Sequence, residues 1–329
     1  MKKNLVVGNS SIDNIIFADG TFYQHVCGGN AFQASVSASC FSQDVAILTV
    51  VPENFPQKYL EFLQKKGIDI AGVKTIAGNL LKEELFIYQK NGDRIDNIFI
   101  QFDKDWHLKR LDGKAIDFLI SLAEGHLEKD SYKVFRETYR PSIDVLPPEW
   151  GYASIHIAPT KIESVFEALS LASDVKTLDP GSYVKTMGYD DVLDLVKATD
   201  VFIPSKKEMQ WIFSDLPLYE AFRKLSKDAS TSIVCKNGKE GCFVYDHTKK
   251  SEYSVGTYPA IVKDFTGAGD SFCGALNVCY ANGVSLLDSA KAGTISAAKA
   301  IENVSVINRG ITDGQDILSL VPEVESTEL

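Results

Sequence analysis

The stretch AIVKDFTGAGDSFCGAL at residues 260–276 places two acids around a run of glycines. Ile261 and Val262 lead into Asp264, the turn Thr266-Gly267-Ala268-Gly269 follows, and Asp270 stands at its far edge. Beyond it Phe272, Ala275, Leu276, Val278 and Cys279 recur at helical spacing, so the segment reads as a tight turn opening a helix. Such a turn points several backbone N–H groups at one spot, with the positive end of the helix behind them, and the spot attracts anions. A carboxylate beside that spot repels a resting phosphate. It makes chemical sense where the carboxylate removes a proton from a hydroxyl that attacks phosphorus. Asp270 is therefore a candidate general base, and the amides of Gly267, Ala268 and Gly269 form a candidate anion hole. The plainer reading is a strand–turn–helix with Asp270 as the helix N-cap.

A second constellation joins Asp13 to Gly28-Gly29-Asn30. An acid just after a strand can accept two hydroxyl hydrogen bonds, and a Gly-Gly turn lets backbone amides approach a small polar ligand because no Cβ intervenes. A third, Ile203-Pro204-Ser205-Lys206-Lys207-Glu208, is a strand end and helix start, with Glu208 in the first turn where the helix dipole favours it. A fourth, Val234 to Cys242, is a strand followed by a loop holding Lys236, Gly238 and Gly241. No G-x-x-x-x-G-K-[ST] occurs, which excludes a P-loop kinase. The turn after the first strand, Gly8-Asn9-Ser10-Ser11, lacks G-x-G-x-x-G, which argues against a dinucleotide-dependent dehydrogenase. The histidines are scattered without metal-ligand spacing; His156, within an apolar strand, is the most notable of them.

Two sets of elements must position these residues. Leu5-Val6-Val7 and Val45–Val51 read as buried strands, with helices over Ala31–Cys40 and Phe55–Lys66. After residue 150 strands at 153–157, 175–178, 201–203 and 231–236 alternate with helices at 162–171, 192–198 and 207–213. A hairpin at 242–245 and 252–255 precedes the glycine turn, and a helix over 286–301 closes the core. This alternation implies an α/β fold with a mainly parallel sheet and ligands at the carboxyl ends of its strands. Short strands at 12–17, 21–26, 84–90 and 95–102, the last two around Asn91-Gly92-Asp93, predict a small separate sheet. In residues 103–150 a single helix near 115–125 is expected, and the tail after Leu320 reads as loose.

With 45% hydrophobic and 24% charged residues the 329-residue chain is ordinary globular material. A formal charge of −10 and the absence of Lys/Arg blocks argue against nucleic acid as a partner. Six cysteines without C-x-x-C spacing predict free thiols, and the short apolar run near the N-terminus predicts no signal peptide. No stretch approaches the length of a membrane span, so the expected location is the cytoplasm.

Residues 264–270 closely resemble the D-T-x-G-A-G-D signature of the PfkB (ribokinase-like) family of sugar and nucleoside kinases, with Phe265 in place of Thr. The resemblance implies a three-layer α/β/α core over 1–11, 27–71 and 103–329, with a β-sheet lid from 12–26 and 72–102. It implies Asp270 as base, the 267–269 turn around the transferring phosphoryl group, and ATP with Mg2+, and it raises a monovalent cation such as K+ and a homodimer through the lid. Asp13, Gly28, Gly29, Asn30, Gln33 and Asp270 would bind the acceptor; Gln33 falls where the family has asparagine. Ser205, Lys236, Gly238, Gly241, Thr266, Gly267 and Gly269 would meet the nucleotide, with Asp179-Pro180-Gly181 lining the cleft. Glu208 would organise Mg2+ through water, although Ser205 replaces the family's Asn in P-N-x-x-E. The expected activity is ATP-dependent phosphorylation of a sugar-like hydroxyl; a nucleoside kinase and a sensor without turnover remain open alternatives.

Overall fold

The computed structural model describes residues 2–78, 83–88, 94–96, 139–306 and 313–329, with isolated positions between 114 and 138. The chain opens with β1 (Lys2–Val7), β2 (Ser11–Ile16) and β3 (Phe22–Gly28), then α1 (Asn30–Ser39), β4 (Val45–Pro52) and α2 (Gln57–Lys65). Next come β5 (Val73–Ile76), β6 (Glu83–Tyr88) and β7 (Arg94–Asp96). From residue 151 strand and helix alternate: β8 (Gly151–Ile157), α3 (Ile162–Ser170), β9 (Ser173–Leu178), α4 (Tyr189–Lys197), β10 (Val201–Phe202) and α5 (Lys206–Ile212). Then follow α6 (Leu218–Ala229), β11 (Ser232–Lys236), β12 (Cys242–Asp246) and β13 (Ser251–Val255). The chain ends with α7 (Ala268–Ala281), α8 (Leu286–Ile301), α9 (Gly314–Leu320) and β14 (Ser326–Glu328).

Ten strands make one sheet in the order β14-β13-β12-β11-β10-β9-β8-β1-β4-β5. From β5 through β11 every pairing is parallel, so the carboxyl ends of these strands share one edge. Strand alternation sends Leu5 and Val7 of β1 to one face and Val6 to the other. The first face packs on α3, α4, α5 and α6, and the second on α1, α2, α7 and α8, which gives three layers around two apolar cores. The separate sheet has the order β3-β2-β6-β7, with β2 and β6 parallel. Among the described residues no helix is long and apolar enough to cross a membrane.

Three expectations change. Val73–Ile76 lies inside the 72–102 stretch assigned to the small sheet, yet it pairs in parallel with β4 as an edge of the large sheet. The tail beyond Leu320 is not loose: β14 adds antiparallel to β13, where it uses edge hydrogen-bonding groups that would otherwise face solvent. Helix α6 was not expected; its apolar residues Ala221, Phe222, Leu225 and Ala229 lie on one stripe among charges and pack into the first core. The Asn91-Gly92-Asp93 turn and most of the helix expected over 115–125 lie outside the described residues.

Candidate active site

The parallel order delivers the end of each strand to the same edge, and the candidate residues gather there. Asn9 follows β1, Asp179 follows β9, Ser205 follows β10, and Lys236 ends β11. Helix α7 begins beside them. Its N-cap is Gly267, in the left-handed region with φ 78° and ψ 7°, so Asp270 is not the cap but a half-buried residue of the first turn. A Cβ at Gly267 would lie 2.3 Å from Gln33 Cδ, so glycine is required for conformation and for space. The expected apolar approach is absent: Ile261 and Val262 are exposed and belong to no strand.

Beneath this turn lies a buried polar cluster. Lys236 Nζ donates to Asp179 Oδ2 and stands 3.5 Å from Cys273 Sγ. Burial opposes the charge on Lys236, but the Asp179 carboxylate outweighs it and holds the ammonium above its usual range. Burial lifts Asp179, while Lys236 pulls it back and Glu208 and Asp270 add like charge. Asp179 Oδ1 is buried without a hydrogen-bond partner. A Cβ on Gly269 would come within 3.8 Å of Lys236 Nζ, so this cation reaches the underside of the turn.

Across α1 lies the second constellation. Asp13 is 2% exposed, and its Oδ1 accepts from Ser11 Oγ at 2.7 Å. Burial pushes its carboxyl up to about 7; the Ser11 bond opposes this, and the charges of Glu84 and Asp264 add to it. Gly28 leaves room for that carboxyl, since a Cβ there would sit 1.8 Å from Asp13 Oδ2. Gln33, on α1, connects the two halves: it is buried under Gly267, and its Oε1 has no partner. Helices α1 and α7 approach closely because Gly274 faces the Ala34 backbone, and Ser37 Oγ donates to Ser271 O at 2.6 Å.

Residues 152–312 match the family model for the pfkB family carbohydrate kinases. These residues, just under half of the chain, carry its likeness to the pfkB family carbohydrate kinases. The matched span of this kinase contains Asp179, Ser205, Lys236 and the Gly267–Asp270 turn, whereas Asp13 and Gln33 precede it. A cytidine kinase of Thermococcus kodakarensis is 24% identical over 298 residues, 91% of this chain and 95% of its own. The crystal structure of a Methanocaldococcus jannaschii nucleoside kinase superposes with a TM-score of 0.70 at 16% identity, covering 98% of this chain and 99% of that one. A chain from E. coli solved in complex with ATP and Mg2+ gives a TM-score of 0.66 at 16% identity, covering 98% and 100%.

Several side chains in this site have partners that sequence does not display. Asn30 Oδ1 accepts from Asn9 N at 2.7 Å and its Nδ2 donates to Pro159 O at 2.7 Å, so its carboxamide clasps the ends of β1 and β8. Ser205 and Glu208 form a reciprocal capping box: Glu208 N donates to Ser205 Oγ at 3.3 Å, and Ser205 N to Glu208 Oε2 at 2.6 Å. Gly238 and Gly241 shape the turn between β11 and β12. The Thr266 hydroxyl is held by Tyr88 and Arg94 of the small sheet. His156 Nδ1 meets Thr177 Oγ1, which in turn donates to Asn277 Oδ1; burial lowers this imidazole to about 3, so it is a neutral core group.

The donor set suits a polyphosphate: a half-buried lysine below a helix start whose first amides lack intrahelical acceptors. Among the described residues no group of three or more His, Cys, Asp or Glu could hold a metal ion. Asp179, whose Oδ1 lacks a partner, and Glu208 are the acids at this edge that would face a nucleotide's divalent ion.

Proposed function

We propose that this kinase transfers the γ-phosphoryl group of ATP to a hydroxyl of a small sugar or of a nucleoside's sugar. The observation that carries the reading is the head of α7: a left-handed Gly267 at its N-cap, Asp270 in its first turn, and the half-buried Lys236 beneath Gly269. The pfkB family and the relatives named above supply the reaction class.

ATP with Mg2+ supplies the phosphoryl group and shields its charge. Asp13 accepts hydrogen bonds from acceptor hydroxyls once ionised, above about pH 7. Gln33 offers its unpartnered Oε1 between acceptor and turn. Asp270 takes the proton of the attacking hydroxyl on its carboxylate, and the opening amides of α7, with Lys236 below them, hold the charge that develops. The small sheet, acting as a lid, excludes water and so suppresses hydrolysis. The cytidine kinase match across most of the chain supports a nucleoside as acceptor over a free sugar. Six free cysteines support a reducing compartment such as the cytoplasm.

The test is ADP release with ATP and Mg2+ over a panel of nucleosides and sugars, beside Asp270→Asn. Acceptor-dependent release that falls at least ~10²-fold in the variant supports the reading. Release that survives in the variant assigns the base elsewhere, and silence across the panel argues for a sensor.

A further inference from the structure

We propose that Tyr88, on the small sheet, is a positioning residue for the Gly267–Asp270 turn, so that the anion hole takes its shape only while that sheet is docked. The inference rests on the phosphotransfer reading above.

Tyr88 is the last residue of β6 and is 6% exposed. Its ring stacks on Phe17 with centroids 5.1 Å apart and planes 5° apart, and it lies 6.3 Å from the ring of Phe265. The hydroxyl is therefore aimed by packing. It donates to Asp264 Oδ1 at 2.6 Å, accepts from Phe265 N at 3.0 Å, and meets Thr266 Oγ1 at 3.3 Å. A phenol has one proton and two lone pairs, and these three contacts use them all. Burial, with Asp264 nearby, lifts the phenol to about 12, which keeps it a donor at any working pH.

The held segment closes on itself as well. Thr266 N donates to the same Asp264 Oδ1 at 2.8 Å, and Arg94 Nη1 on β7 donates to Thr266 Oγ1 at 3.2 Å. Three consecutive residues, 264 to 266, are thus gripped from the small sheet immediately before Gly267. The direction in which α7 presents its first amides and Asp270 follows from the path of that segment. A misplacement of about an ångström at reacting groups can cost about a hundredfold in rate, so a hydroxyl remote from the acceptor can govern turnover. The consequence is coupling: whatever displaces β6 also loosens the anion hole, and this limits phosphoryl loss to water when the small sheet is not seated.

The decisive variant is Tyr88→Phe, which keeps the ring stack and deletes only the hydroxyl. Amide hydrogen exchange of the apo protein reads the position claim without any turnover. Losing an ordinary hydrogen bond should speed exchange across 264–267 about tenfold while β4 is unchanged. In the kinetic arm kcat should fall about tenfold or more, with the acceptor KM within about threefold of wild type. Combining Tyr88→Phe with Asp264→Asn should cost less in kcat than the two single losses together, because both delete the Tyr88–Asp264 contact. Unchanged exchange at 264–267 overturns the proposal. A raised acceptor KM at normal kcat also overturns it, since Tyr88 would then touch the acceptor. Should wild type turn over no acceptor, the phosphotransfer reading fails, and the exchange comparison still decides whether Tyr88 holds the turn.

Discussion

Replacing Asp13 with asparagine should make the protein more stable and unable to hold its acceptor. The Asp13 carboxyl is buried, and its affinity for a proton rises from the ordinary 3.8 to about 7. A difference of about 3 pH units corresponds to about 4 kcal/mol of disfavour for the ionised form at about pH 8. Between about pH 4 and 7 the folded chain binds more protons at this site than the unfolded chain, so stability falls as pH rises through that window and levels off above it. Asparagine keeps the shape and can still accept from Ser11 Oγ, but it carries no charge to bury. An unfolding entropy of about 2.1 cal/mol/K per residue gives about 0.7 kcal/mol/K for the whole chain, so Asp13→Asn should raise Tm by about 6 °C at about pH 8. At about pH 4.5 the gain should shrink to about 1 kcal/mol, because the folded wild type is then protonated and only the small cost of protonating an ordinary carboxyl at that pH remains. Thermal unfolding of the two proteins at both pH values, followed by circular dichroism, reads the difference directly, and other titrating groups cancel in it. A variant no more stable than wild type at pH 8, or a gain that persists undiminished at pH 4.5, refutes the reasoning. A gain seen at pH 8 and largely lost at pH 4.5 would mark the retained carboxylate as stability given up for function.

Gly267→Ala should lower kcat more than tenfold and stability by about 1–3 kcal/mol, since the residue sits at φ 78° and its Cβ would meet Gln33; steady-state kinetics and urea unfolding measure both. Lys236→Met should destabilise by about 3–5 kcal/mol because it leaves the Asp179 carboxylate buried and unpaired. Adding Asp179→Asn should recover much of that loss, as read from the Tm of the double variant. Ser205→Ala should cost about 1 kcal/mol as a lost cap while leaving kcat within about twofold; a tenfold rise in nucleotide KM would instead make Ser205 a nucleotide contact.

Properties set by chain neighbours could be read without a structure. A glycine run between two acids prescribes a tight turn at a helix start, and the apolar periods of β1, β4, β8, α1 and α7 prescribe their type and buried face. The parallel order follows from strand–helix alternation, and with it the common edge where Asp179, Ser205 and Lys236 meet. What the tertiary structure decided is which groups satisfy which. Lys236 finds Asp179 57 residues away, and Tyr88 reaches Asp264 across 176. Asn30, which the sequence offers to a ligand, turns to Asn9 and Pro159, and Ser205 with Glu208 closes a cap. Val73–Ile76 and Ser326–Glu328 joined the large sheet because each found an open strand edge. Periodicity and dihedral preference are local, so they are written in the chain. The pairing of buried polar groups depends on register and on how two sheets dock, and a one-residue slip in β6 would have turned Tyr88 to the other face.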